Sequence, residues 1–240
     1  MCNDPQMTFD GERFVQDLRE ELEASGRGLD KSIWVEKVVQ GEATPQDLVG
    51  WARQHYWGVT YHTRRVLSAW VTRIPYDMTD DVIENLAEEV LGTQSKTGLS
   101  HLHWLFHFTR ALGAPDEVIT QATPNVDAVA SESFLYNLAK QRPWHELTFG
   151  GILGIENQIP PAYVRVVEGF KTHYGDVLTP DDYRFHTIHI YVDEEHGGHV
   201  GEFAERYLDT EDKRRSARAA YLAGAELTRR CWDAIDGATW

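Results

Sequence analysis

The chain has 240 residues, 42% of them hydrophobic, with 8 Trp, 10 Tyr and 9 Phe, so one large core or two small ones can form. Lys and Arg number 23 against 38 Asp and Glu, a net charge of −15 that offers no electrostatic footprint for nucleic acid or an anionic membrane. No run approaches a membrane span in length. The start MCNDPQMTFDGERF lacks the basic and apolar regions of a signal peptide, and Cys2 and Cys231 make no disulfide framework, so a cytoplasmic location is expected.

Apolar spacing and cap signals predict helices at 9–25, 30–40, 45–74, 78–112, 115–122, 126–141, 144–174, 180–207 and 210–236. Asp10-Gly11-Glu12 opens the first, which fades at Ser25-Gly26-Arg27-Gly28. Thr44-Pro45-Gln46-Asp47 combines an N-cap Thr, a Pro at the first helical position and an acid in the first turn. Ala114-Pro115-Asp116-Glu117 is a weaker version, and Thr179-Pro180-Asp181-Asp182 repeats the full design. The expectation is a single all-α domain over 1–240, a bundle of about seven main helices.

Three segments carry chemistry. In Asn85-Leu-Ala-Glu88-Glu89-Val-Leu-Gly92 followed by His101, the Glu89 and His101 side chains lie about 120° out of phase on a regular helix. They face one site only if the backbone is irregular between 91 and 99, where Gly92 and Gly98 ease an interruption; Glu88 would then point elsewhere. Taken alone, the segment reads better as a solvated helix end than as a pair of ligands. In Phe149-Gly-Gly-Ile-Leu-Gly-Ile-Glu156-Asn-Gln-Ile-Pro160, Glu156 is the only charge in an apolar run, which calls for an ion-pair partner or a metal. Pro160 cannot donate to the Glu156 carbonyl, which loosens the helix there. In His189-Ile-Tyr-Val-Asp193-Glu-Glu-His196, Asp193 falls roughly 40° and His196 about −20° from His189, so all three share one stripe. Two imidazoles and a carboxylate suit a first-row metal. His186 and His199 flank the stripe as supporting or surface residues.

In this order the segments resemble the haem-oxygenase-like di-iron oxygenases and oxidases, the CADD-like group, across roughly residues 30–205. The shared pattern is Asn85-Leu86-Ala87-Glu88-Glu89-Val90-Leu91-Gly92, then His101 and Ala111-Leu112-Gly113, then Glu156-Asn157-Gln158-Ile159-Pro160, then His189-x3-Asp193-x2-His196. The resemblance implies six ligands, Glu89, His101, Glu156, His189, Asp193 and His196, holding two Fe(II) ions that reduce O2 to a bound peroxide. Glu88 or Gln94 stands as an alternative to Glu89, because the gap before His101 is longer than in the family pattern. Gly98 occupies the position where N-oxygenating members place a further carboxylate. Val166, and Trp34 or Val35, occupy those where aminobenzoate-forming members place Lys and Tyr. What remains resembles members that oxidise amino acids or fatty acids by fragmentation, desaturation or decarboxylation.

The same fold hosts thiaminase-like TenA proteins, which need a cysteine nucleophile, and a metal-free cofactor-synthesis oxidase of the PqqC type. The other alternative is a non-catalytic helical binding protein. Trp57, Tyr61 and Trp104 are candidates for a substrate pocket, and Arg65, Arg73 and Arg165 for holding a substrate carboxylate. The expected partners are a small-molecule substrate, an external electron donor and a second copy of the chain, with no nucleic acid and no membrane.

Overall fold

A computed structural model of the chain describes residues 9–196 and 200–235, and the side chains of all of these except 193–196. Among the described residues every regular element is helical. In chain order these are α1 Gly11–Ser25, α2 Ile33–Val39, α3 Pro45–His55, α4 Tyr61–Val71, α5 Thr79–Leu91, α6 His101–Ala111 and α7 Asp116–Thr120. They continue as α8 Val126–Lys140, α9 Leu153–Glu156, α10 Ile159–His173, α11 Arg184–His196, α12 Val200–Tyr207 and α13 Glu211–Asp233.

Side-chain caps set several of these starts. Thr44 and Asp47 form a reciprocal capping box with Pro45 in the first turn of α3. The side chains of Asp10, Ser100, Asn125 and Thr210 accept from the first-turn amides of α1, α6, α8 and α13. At Thr179-Pro180-Asp181-Asp182 the outcome differs from the expectation. Asp182 bonds both the amide and the hydroxyl of Thr179, yet 180–183 form a turn and α11 begins at Arg184. The backbone there closes i→i+3 bonds, Asp182 to Thr179 and Arg184 to Asp181, instead of entering the helix.

The long predicted helices are real in extent and interrupted in detail. The 45–74 prediction is α3, a π-helical turn at Tyr56–Thr60, and α4. The 144–174 prediction contains a second π segment, Glu146–Ile152, then α9 and a break before α10, whose second residue is Pro160. A π turn adds a residue to the cycle and shifts every later side chain around the axis.

At 23 residues and roughly 35 Å, α13 is the longest helix. It packs against the second π segment, α8 and α9. Gly150 and Gly154 allow that approach, since a Cβ at either would sit about 2.3–2.4 Å from Ala220 Cβ or the Tyr221 carbonyl oxygen. The largest apolar cluster contains Trp34, Trp51, Phe108, Tyr163, Phe170, Phe185 and Trp232, all almost wholly buried. No described helix is long and apolar enough to cross a membrane.

Candidate metal centre

A cavity of about 80 Å³ lies within the bundle. Its wall takes His55 from α3, Asn85 and Glu89 from α5, His101 from α6, Glu156 from α9, Tyr163 from α10 and Phe185 and His189 from α11. The rest is mainly aliphatic, from Val59, Val66, Leu67, Leu135, Ile152, Ile155 and Ile159. Asn85, Ile152 and Glu156 also line a second cavity, about 230 Å³, which carries Asp81 and Glu84.

Glu89, His101 and His189 each offer a ligand atom, and those atoms lie within 4.8 Å of one another. The sequence placed Glu89 and His101 out of phase, and the backbone resolves the conflict as expected. The predicted 78–112 helix ends at Leu91, and α6 begins at His101. Gly92 caps α5 in the left-handed conformation with φ 61° and donates to the Glu88 carbonyl. The chain then turns back, with Thr97 and Gly98 donating to the Gly92 carbonyl.

Glu88 does not point away. It is fully buried, accepts from the amides of Gln94 and Ser95 at 2.7 and 3.0 Å, and lies 3.0 Å from His101 Nε2. Sequence phase places Glu88 about 100° from Glu89, but His101 approaches from a separate helix and its ring reaches between the two acids. Its Nδ1 lies 3.1 Å from Glu89 Oε1 without forming a proper hydrogen bond. Burial opposes a charge on His101, but Glu89 and Glu88 outweigh it and raise its pKa to about 10. Burial likewise opposes a charge on Glu88, and the bonds from His101 and Ser95 overcome it, lowering Glu88 to about 2. Without metal, therefore, the protonated ring lies between the two carboxylates and offsets one of their two charges.

His189 Nδ1 donates to the Phe185 carbonyl at 2.7 Å, an arrangement that leaves the Nε2 lone pair free to bind a metal. Burial, reinforced by the charge on His101, lowers its pKa to about 4, so the ring is neutral and able to bind a metal. Glu156 faces the same cavity and accepts from Asn85 Nδ2 at 3.2 Å. Burial raises its pKa to about 7 against the Asn85 bond, with Glu89 adding to the rise. This donor set fits a cation: a buried ring nitrogen lacking a hydrogen-bond partner, a neutral imidazole, and a carboxyl whose pKa burial raises to about 7.

Asp193 and His196 belong to α11 by backbone, but their side chains, like His199, lie outside the described residues. His186 is not at the surface. It is fully buried among Trp51, Phe108, Tyr163 and Phe170, and neither ring nitrogen makes a well-formed hydrogen bond among the described residues.

The expected pocket aromatics sit elsewhere. Trp57 Nε1 donates to the Ile119 carbonyl, Tyr61 packs on Tyr56 and Trp57, and Trp104 lies beside His107 and Arg184; none lines the cavity. The arginines are also committed elsewhere. Arg73 bonds the carbonyls of Leu138, Ala139 and Arg142, Arg165 pairs with Glu36, and Arg65 lies over the Tyr61 ring. Sequence reasoning missed His55, a lone histidine on an apolar helix face with no spacing signal. Cys231, fully buried, donates to the Gln54 carbonyl, and burial raises its thiol to about 12, so it is no ready nucleophile.

A family model described as iron-containing redox enzyme matches residues 49–229. A protein named 4-aminobenzoate synthase, from Nitrosomonas europaea, is 26% identical over 209 residues, covering 82% of this chain and 78% of that protein. A domain of unknown function with a heme oxygenase-like fold, from Shewanella denitrificans, superposes with a TM-score of 0.72 at 17% identity, covering 94% of this chain and 91% of that one. A CADD-like protein of unknown function from Nostoc punctiforme gives a TM-score of 0.70 at 15% identity, over 93% and 95% of the two chains. The haem-oxygenase-like, all-α architecture read from the sequence is the observed one.

Proposed function

The chain belongs to the family of iron-containing redox enzymes, and on that premise we propose that it is a non-haem di-iron oxygenase or oxidase that uses O2 to oxidise a small organic substrate. The observation that carries this reading is the convergence of Glu89, His101 and His189 on one wall of a largely aliphatic cavity. Glu156 on the same cavity, with Asp193 and His196 from the stripe on α11, completes a set of three carboxylates and three imidazoles, the mixed oxygen and nitrogen donors that iron accepts. Iron held there supplies electron transfer and O2 chemistry that protein side chains lack.

The chain's own part is positional. Glu88 fixes the ring of His101 from behind, and the Phe185 carbonyl fixes that of His189. Glu156 and His101 release protons as a cation arrives. The aliphatic wall keeps water from the reacting bond. An electron donor outside the chain would supply the reducing equivalents that such chemistry consumes.

The 4-aminobenzoate synthase relative suggests its own product for this chain. Trp34, Val35 and Val166, which stand where aminobenzoate-forming members have Tyr and Lys, are fully buried apolar side chains here, so another substrate is assigned.

Anaerobic Fe(II) titration tests the reading. The wild type is expected to take up two irons per chain and to give a transient visible band when O2 is admitted. The His189→Ala and Glu89→Ala variants are expected to lose at least one iron. No iron uptake, or full stoichiometry in both variants, overturns the proposal.

A further inference from the structure

We propose that Gln158 is the positioning residue of Glu156: its side-chain amide replaces a backbone bond lost where α9 breaks from α10, and so fixes the turn that carries the Glu156 carboxylate into the cavity. The inference rests on the reading of Glu156 as a metal ligand given above and adds what holds that ligand in place.

α9 is four residues long, a single turn between the second π segment and the break. One turn has too few bonds of its own to persist. Pro160 and Pro161 carry no N–H, so the carbonyls of Glu156 and Asn157 receive no donor from four residues on. The backbone amide of Gln158 closes onto the Ile155 carbonyl at 3.3 Å, three residues back. That turns it away from the Gly154 carbonyl, its partner in a regular helix. The side chain of the same residue takes over the bond: Gln158 Nε2 donates to the Gly154 carbonyl at 2.9 Å.

Gln158 is only 7% exposed, and both ends of its amide are engaged. Nε2 also reaches the Ala225 carbonyl of α13 at 3.3 Å, and Oε1 accepts from the Leu29 amide, in the turn between α1 and α2, at 2.8 Å. The single turn of α9 is thereby tied to two elements far from it in sequence. Asn157 adds a second tie, accepting from Arg19 of α1 at 3.1 Å and donating to the Tyr221 hydroxyl of α13 at 3.4 Å. Gln158 lies two residues beyond Glu156, about 200° around on a helical course, so the two side chains leave opposite sides of the chain. The anchor points to α13 and the α1–α2 turn while the carboxylate enters the cavity, where Asn85 Nδ2 donates to it at 3.2 Å. Asn85 orients the tip of the side chain, and Gln158 sets the backbone from which it springs. A glutamine that merely satisfied buried carbonyls would contribute to stability alone.

Anaerobic Fe(II) titration of the full-length protein, with and without Gln158→Met and each with and without Glu156→Ala, separates the two roles, with thermal denaturation in parallel. Met keeps the length of the side chain and removes its hydrogen bonds. Gln158→Met is expected to weaken the less tightly held iron by about tenfold or more. In the Glu156→Ala background the same substitution is expected to change the affinity of the remaining iron by less than about twofold, although the thermal midpoint falls in both backgrounds. Such non-additivity in affinity, and not in stability, shows that Gln158 acts through Glu156. Unchanged iron affinity in Gln158→Met, or equal weakening in both backgrounds, overturns the proposal. Should Gln158→Met not fold, Gln158→Asn, which keeps the amide and shortens its reach, serves in its place under the same criteria. Two irons bound with this coupling but no visible band on admission of O2 removes the oxidase reading alone. Absence of iron from the wild type removes both.

Discussion

At His101 one imidazole serves two carboxylates, Glu89 at Nδ1 and Glu88 at Nε2. The two acids are neighbours in sequence and differ in role by what else they touch. Glu88 is tied to two amides, whereas Glu89 faces the cavity. Removing Glu88 frees the ring to rotate without removing a proposed ligand. Glu88→Ala is expected to weaken Fe(II) binding by roughly 10–100-fold while retaining the stoichiometry, and Glu89→Ala to lower the stoichiometry itself. Equilibrium dialysis of both variants distinguishes these outcomes, and the reverse pattern would exchange the two roles. The same ring sets a pH dependence. Its pKa rises from 6.5 to about 10 on folding, so its contribution to stability is complete below pH 6.5 and lost as pH climbs towards 10. The thermal midpoint of the metal-free protein is expected to fall over that window, and His101→Gln to flatten the fall. A midpoint rising from pH 7 to 10 would contradict the charged ring.

The turn between α5 and α6 is the element that brings Glu89 and His101 together, and Gly92 begins it. With φ at 61°, an L residue there costs roughly 1–2 kcal/mol from backbone strain alone. A Cβ would also meet Thr97 Oγ1 at 2.3 Å and the Leu99 carbonyl at 2.5 Å. Gly92→Ala is therefore expected to lower the denaturation midpoint and weaken iron binding together, whereas Gly98→Ala, whose Cβ has nothing within 4 Å, costs only the backbone part. Equal losses in the two variants would show that crowding at Gly92 plays no part. This break was legible because two glycines interrupt a strong helical pattern and the phase of Glu89 and His101 demanded it. The contact of Glu88 with the ring was not legible, since helical phase describes one helix and the ring comes from another. The π turns were equally silent. One extra residue in a cycle leaves the run of apolar residues almost unchanged, although it redirects the side chains that follow, those of α4 in one case and of α9, Glu156 included, in the other. Trp57, Tyr61 and Trp104 misled for a related reason. With 27 aromatic side chains in the sequence, an aromatic at helical spacing does not reveal which of several apolar interfaces it fills.

Across the whole chain, the architecture followed from cap residues and apolar spacing, because α3, α8, α10 and α13 each carry local signals that agree with their packing. The cavity did not, because its wall is drawn from helices far apart in sequence. That dispersion has a consequence for the order in which the protein assembles. The closest trio of candidate ligands spans a hundred positions, from Glu89 to His189, so no early local structure contains the centre. Closing so long a loop is a late event, and interactions absent from the transition state alter the unfolding rate far more than the folding rate. Stopped-flow refolding under anaerobic conditions is expected to proceed at the same rate with and without Fe(II), while unfolding slows in its presence. Faster refolding with iron would mean that the ligands gather before the core does, the metal then acting as a nucleus. In the expected case it is a latch, set only after the helices have closed.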